Sequence, residues 1–388
     1  MNTNLPPIRQ AFQVRYSYQL LFTQHVFAVE NPLFKNVLAE YRPNEAIKCL
    51  FVVDKGVMDH HAQLESSIKQ YCNQYPSQIQ FTELVVVPGG EQSKQDQSSV
   101  DKCLKAINEN AICRHSFVVA IGGGAVVDMV GYAATIAHRG VQLIRVPTTV
   151  LAQNDAAVGV KNSVNAFEKK NFLGTFSVPY AIINDLEFLK TLEQRDWVAG
   201  IAEAIKVALI KDKAFFEYIE NNAQALANRD MEVMAYLIHR CAELHMEHIS
   251  KGGDPFESGS SRPLDFGHWS AHKMEYMTDY QLRHGEAVAL GMAVDMVYAD
   301  LIGILEDDLD RVLNVIKKVG FQLEMPFESD QEIKEVLHGI EEFREHLGGK
   351  LTIPLIPKIG TKTDVHQIDY TLMEQAIRSF VRKPESSL

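Results

Sequence analysis

The sequence predicts an α/β layer built on a parallel sheet, followed from about residue 190 by a mainly α-helical half. Short, continuous apolar runs alternate with helix-patterned stretches through the first half, as expected of strands covered on both faces by crossover helices. Glycine-rich turns follow directly on two of those runs. Beyond residue 190 the apolar residues recur at helical spacing instead.

Residues 48–54 (KCLFVVD) form an apolar run ending in Asp54, and residues 60–72 follow in a helical pattern. Residues 80–87 (QFTELVVV) read as a strand ending at Pro88-Gly89-Gly90, and residues 99–108 as a helix. Residues 116–121 (SFVVAI) form a strand that runs into Gly122-Gly123-Gly124, with a helix over 125–134. A further strand, 141–146, stops at Pro147. Strand and helix in this order imply right-handed crossovers. Helices are expected over 195–210, 214–227, 232–249, 268–278, 286–304 and 306–319, and a loop over 252–263 (GGDPFESGSSRP). The last residues, 383–388, read as a frayed end. Two domains are expected, 1–190 and 191–388.

Composition narrows the function classes. The chain has 388 residues, 46% hydrophobic and 23% charged, the balance of a globular protein. A net charge of −12 argues against nucleic acid as partner. A small phosphorylated ligand stays compatible, because a few cations focused in one cleft outweigh a diffuse acidic surface. No apolar run approaches the length of a membrane span, and the first ten residues lack a signal layout. Cys49, Cys72, Cys103, Cys113 and Cys241 are scattered and form no CxxC pair, which suits reduced thiols in the cytoplasm.

Glycines at 122–124, between a strand and a helix, let the backbone approach a pyrophosphate at a helix N-terminus. The same triplet also makes an ordinary tight turn, and it is not a GxGxxG fingerprint. The turn at Gly89-Gly90, with Glu91 and Lys94 after it, would face the same crevice. His268 and His272 stand four apart on one helix face, and His284 follows within seventeen residues. Two histidines and a carboxylate make a catalytic zinc set. Glu203 is the candidate carboxylate, since it interrupts an apolar helical stretch and would need a partner if buried. Capping or core-bonded histidines and a surface Glu are the competing reading. Asp155, Lys161, Lys169, Lys170 and Asn171 cluster in a Gly- and Asn-rich stretch suited to a polyanionic or polyhydroxylated ligand, or to plain solvation.

In their order, these blocks resemble those of the dehydroquinate synthase-like sugar phosphate cyclases over nearly the whole chain. The matching segments are PGGEQSK (88–94), GGGAVVD (122–128), Arg139-Gly140, VPTTVLAQ (146–153) with Asp155, Lys161, Lys170-Asn171, AGIAEAIK (199–206), FGH (266–268) with His272, and HGEAVALGM (284–292). The resemblance implies an NAD-binding α/β domain, a helical metal domain and an active site between them. It implies zinc, with cobalt suiting the same set, held by Glu203, His268 and His284. Asp155, Lys161, Lys206, His272 and Asp265 would act on the substrate. Arg139, Lys170, Asn171 and, in a late FREHLGG block, Arg344 or His346 would bind it. Asp54, Glu91, Lys94, Gly123, Gly124, Asp128, Thr148 and Thr149 would contact NAD. A homodimer is implied as well.

The chain departs from dehydroquinate synthase where that enzyme must hold a substrate carboxylate. The family's Asn is Asp265 here; counted back without gaps, its Arg is Ser261, beside Arg262, and its Lys is Glu247. Acids there would repel a carboxylate, whereas an Asp accepts from a hydroxyl. The pattern is similar to that of the sedoheptulose 7-phosphate cyclases, which form valiolone-type cyclitols. The expected reaction is transient oxidation by NAD, phosphate elimination, re-reduction and an intramolecular aldol closure. Dehydroquinate synthase proper, a metal-dependent polyol dehydrogenase, and a non-enzymatic protein retaining NAD and metal are the alternatives.

Overall fold

The computed structural model describes residues 6–167, 169–256 and 264–382. Ser261 and Arg262, part of the 252–263 loop and the 383–388 end lie outside the described residues. The sheet half runs β1 (Gln19–Thr23), α1 (Leu33–Tyr41), β2 (Ile47–Asp54), α2 (Lys55–His60), α3 (Leu64–Gln74), β3 (Ile79–Val87), α4 (Gln92–Gln95), α5 (Gln97–Glu109), β4 (Phe117–Gly122), α6 (Gly124–Ile136) and β5 (Gln142–Pro147). It continues through a hairpin, β6 (Lys161–Ala166) and β7 (Lys169–Phe176), to β8 (Ala181–Asp185). Helices α7 (Gln194–Lys211), α8 (Lys213–Asn221), α9 (Ala223–Ala227), α10 (Met231–Lys251), α11 (His268–Met277), α12 (His284–Leu301), α13 (Leu309–Lys318), α14 (Asp330–His346) and α15 (Tyr370–Arg378) follow, with a short β9–β10 pair (Ile353–Leu355, Thr363–Val365) before α15.

Six strands pair in the order β1-β8-β5-β4-β2-β3, all parallel. In β2, Cys49, Phe51 and Val53 pack into one core layer and Leu50 and Val52 into the other. Both faces are therefore dry, which is why the strand reads as an unbroken apolar run. The chain winds from β2 out to β3 and returns to add β4 on β2's other side. That reversal opens a crevice beyond the carboxyl ends of β2 and β4. In the helical half, α7, α10, α12 and α13 share one core built on Trp197, Ile201, Ile205, Leu237, Met292 and Ile316.

Local departures from the expected elements have simple causes. The helix expected over 60–72 is broken between His60 and Leu64, and that over 214–227 at Asn222. The helix expected from residue 306 starts at Leu309, where Asp308 caps it by accepting from the Asp310 and Arg311 amides. Among the described residues no helix is long and apolar enough to cross a membrane.

Candidate active site

The crevice is lined by strand ends. Asp54 closes β2, where its carboxylate accepts from the Gly56 amide at 2.7 Å, and burial raises its pKa. A side chain at Gly89 would put its Cβ 2.4 Å from Asp54 Oδ1, so only glycine lets the β3 turn pass there. Gly123 precedes the 13-residue α6 and offers no side-chain cap, which leaves the first amides of the helix to an anion. A Cβ at Gly123 would meet nothing closer than Thr149 Cγ2 at 3.4 Å. Thr148 and Thr149 follow β5, and the Thr148 amide donates to Gly122 O at 3.0 Å. A cavity of about 210 Å³ lies beside Asp54, Thr148, Thr149 and Phe188. Free helix amides, glycine clearance and a carboxylate beside them fit a dinucleotide.

Facing this edge, three helices converge. Glu203 (α7), His268 (start of α11) and His284 (start of α12) each offer a ligand atom, all within 4.8 Å of one another. Glu203 is wholly buried and neither of its oxygens accepts a well-formed hydrogen bond. Its Oε1 lies 3.4 Å from His284 Nε2 and 3.7 Å from His268 Nε2, while Lys206 Nζ pairs with Oε2. Burial alone would raise the Glu203 pKa, but Lys206 and His284 outweigh it and hold the carboxylate ionised. A buried, ionised carboxylate with two imidazoles aimed at its Oε1 fits a divalent cation with an open position.

Around this centre stand charged side chains from both halves. Asp155 lies in a π-turn closed by the Ala157 amide on Ala152 O (3.0 Å), a geometry common at functional sites. The turn packs against α7, where Asn154 Nδ2 donates to Gly200 O at 2.8 Å. Fully buried Arg145 (β5) secures the chain from this turn into β6, donating to Ala157 O, Gly159 O, Lys161 O and Asn162 Oδ1 at 2.6–3.3 Å. Lys161 opens β6 with an exposed side chain. His272 opens onto the cleft, its ring centroid 5.4 Å from that of His268 and 5.9 Å from that of His284. The protein packed around the ring lowers its pKa. Burial also lowers His284, but Glu275 and Glu203 outweigh it and lift the ring to about 9.

Profiles of the 3-dehydroquinate synthase N-terminal and C-terminal regions match residues 84–199 and 200–342. The chain is similar to the 3-dehydroquinate synthase of Shewanella sp. (strain MR-4), 34% identical over 76% of this chain and 81% of that protein. The chain belongs to the dehydroquinate synthase-like sugar phosphate cyclases. Its fold is similar to that of ValA, a 2-epi-5-epi-valiolone synthase from Streptomyces hygroscopicus subsp. jinggangensis 5008 solved with NAD+ and Zn2+ bound (TM-score 0.86, 27% identity, 96% of this chain and 99% of that one). A 2-deoxy-scyllo-inosose synthase complexed with carbaglucose-6-phosphate, NAD+ and Co2+ shares the fold at TM-score 0.75 and 23% identity, over 93% of this chain and 96% of that one.

Not every residue expected to serve the cyclase site lies near it. Arg139 sits beyond the C-terminal end of α6, while the crevice is at that helix's N-terminus, about 20 Å away along 13 residues. Within one chain it cannot hold a substrate phosphate. Arg344 is exposed and paired with Glu341; the neighbouring His346 is the group whose charge reaches His272. Glu247 faces solvent, bound to Lys251 at 2.9 Å. Two residues earlier, His245 is mostly buried with Nδ1 3.1 Å from Asp155 Oδ1, so the gapless count chose the wrong face of α10. Of the two acids expected to repel a carboxylate, only Asp265 remains; it lies close enough to raise the Lys206 pKa.

Two groupings differ from expectation in composition. Lys94 Nζ donates to Asp128 Oδ2 (2.8 Å), Asn171 Oδ1 (2.5 Å) and Ser163 Oγ (3.1 Å), which puts the Asn171 side chain with the crevice residues. Glu91 joins this edge by accepting from Asn165 Nδ2 at 2.8 Å. Lys170 instead donates to Glu275 Oε1 at 2.7 Å. Glu275 and His245 are the site residues that sequence reasoning missed. Glu275 had a signal, standing three residues after His272 and seven after His268 on one helix face.

Proposed function

We propose that this chain cyclises sedoheptulose 7-phosphate to a valiolone-type cyclitol, by transient oxidation, phosphate elimination, reduction and aldol closure. The observation that carries the reading is Asp265, three residues before His268 and electrostatically coupled to Lys206. An acid there accepts from a substrate hydroxyl and repels a carboxylate. Likeness in fold to a 2-epi-5-epi-valiolone synthase supports the same substrate class.

When bound, NAD would take up and return a hydride, and zinc or cobalt on Glu203, His268 and His284 would polarise the hydroxyl being oxidised. The chain's own part is orientation and proton traffic. Lys161, Lys170 and Lys206 would hold the anionic and hydroxyl groups, with Glu203 and then Asp155 outweighing burial to keep Lys206 charged. His272 would pass a proton at the cleft, and Asp54, Glu91, Lys94, Gly123, Gly124, Asp128, Thr148 and Thr149 would seat the dinucleotide. The sheet and helical domains would divide near residue 190, in a cytoplasmic homodimer. Arg139 would serve only a second copy's cleft.

Dehydroquinate synthase is the second reading, favoured by the 34% identity to a protein of that name and by the outward turn of Glu247. Purified enzyme with NAD and zinc should release phosphate from sedoheptulose 7-phosphate without accumulating NADH. Turnover of only the heptulosonate acid would favour the second reading, and NADH build-up on a simple polyol would point to a dehydrogenase.

A further inference from the structure

Glu275 lies on α11 with its side chain only 4% exposed, and its two oxygens have different partners. Oε2 faces His284 Nδ1 at 3.0 Å, and Oε1 accepts from Lys170 Nζ at 2.7 Å. An ionised carboxylate only accepts, so Nδ1 of His284 donates to Glu275 whether or not Nε2 also carries a proton. That leaves Nε2, 3.4 Å from Glu203 Oε1, as the atom presented to the metal centre. Lys170 belongs to β7 in the sheet half, whereas α11 and α12 belong to the helical half.

We propose that Glu275 is a positioning residue that ties the metal ligand His284 to the hairpin lysine Lys170, so that one carboxylate sets both the metal end and the anion end of the cleft. The inference rests on Glu203, His268 and His284 holding a divalent cation. Because the bond crosses from one half to the other, it also ties the place of the hairpin to the orientation of the His284 ring. His272, Glu275 and His284 themselves lie within 4.8 Å, which makes Glu275 as a direct ligand the competing role. Both of its oxygens are already engaged by donors, which favours the hydrogen-bonding role.

Zinc affinity, measured on the full chain by competition with a chromophoric chelator, reads this without turnover. E275Q should bind zinc about 10- to 100-fold more weakly. E275Q/K170M should depart from the product of the two single effects by at least about threefold, because the two side chains act through one bond. E275Q within twofold of the parent, or a double variant equal to that product, overturns the proposal. Two zinc ions per parent chain, falling to one in E275Q, overturns it in favour of ligation. A parent chain that binds no zinc overturns the metal reading itself and this proposal with it. Should E275Q fail to fold, K170M decides: it must shift zinc affinity at least about threefold, and an unchanged value refutes the tie.

Discussion

Asp295 sits in the middle of α12 with no exposed surface, accepting from Trp269 Nε1 at 2.8 Å and from the Gly267 amide at 3.0 Å. Burial raises its pKa to about 7, although both donors oppose the shift. In the unfolded chain an Asp titrates near 4, so between about pH 4 and 7 the folded state holds a proton that the unfolded state has lost. Stability from this group is therefore full below about pH 4 and declines as pH rises through 7. Denaturant unfolding of D295N should lack that decline, differing from the parent in slope by on the order of 2–4 kcal/mol across the window. Parallel pH profiles for the two proteins would refute it. At this scale Glu203 was legible, as a charge in an apolar stretch. Glu275 was hidden among 50 acidic residues, although its spacing from the two histidines on α11 marked it.

Helix α12 approaches the Phe266-Gly267-His268 turn backbone to backbone. A Cβ at Gly291 would lie 2.1 Å from Gly267 O, and Gly267 itself has a φ of +76°, where side chains are strained. G291A should therefore push α12 off the turn that aims His268. The expected cost is about 1–3 kcal/mol of stability, together with weaker zinc binding, read by thermal unfolding and chelator competition. Unchanged zinc affinity would show that the turn does not depend on this contact. Strands β2 and β4 were legible because burial on both faces writes a continuous apolar run, and the edge strand β3 by its apolar end before Pro88-Gly89-Gly90. Strand β1 is only half-buried throughout, and the β6–β7 hairpin carries Asn, Ser and Lys where a strand signature needs alternation. Both took shape from tertiary partners: β1 from β8, and the hairpin from Lys94 and Arg145. Local sequence does not record such partners.

Across the whole molecule, the proposed metal set lies among the helices and the proposed dinucleotide seat on the sheet edge, so either ligand should stabilise the fold by mass action. Free ligand at 100 times its Kd adds about 2.7 kcal/mol, enough to raise the unfolding midpoint by several degrees. Zinc and NAD added separately to chelator-treated protein should each produce such a rise in a thermal scan; an unmoved midpoint for either would remove that ligand from the folded state. The two-half plan was legible in the change of hydrophobic period near residue 190. What escaped was which face of α10 turns inward and that Arg139 lies at the end of α6 remote from the crevice, because counting along a sequence carries no direction in space.

The five thiols also make the molecule its own clock. Cys113 is exposed, whereas Cys49, Cys72 and Cys103 are sealed in the sheet half and Cys241 among the helices. Burial lifts the pKa of each of the four sealed thiols, so they stay protonated and unreactive until the surrounding structure opens. Mass-tagged alkylation in mild denaturant should mark Cys113 at once and the others only as their surroundings melt. The order in which Cys241 and the sheet thiols appear would then time-stamp which half comes apart first.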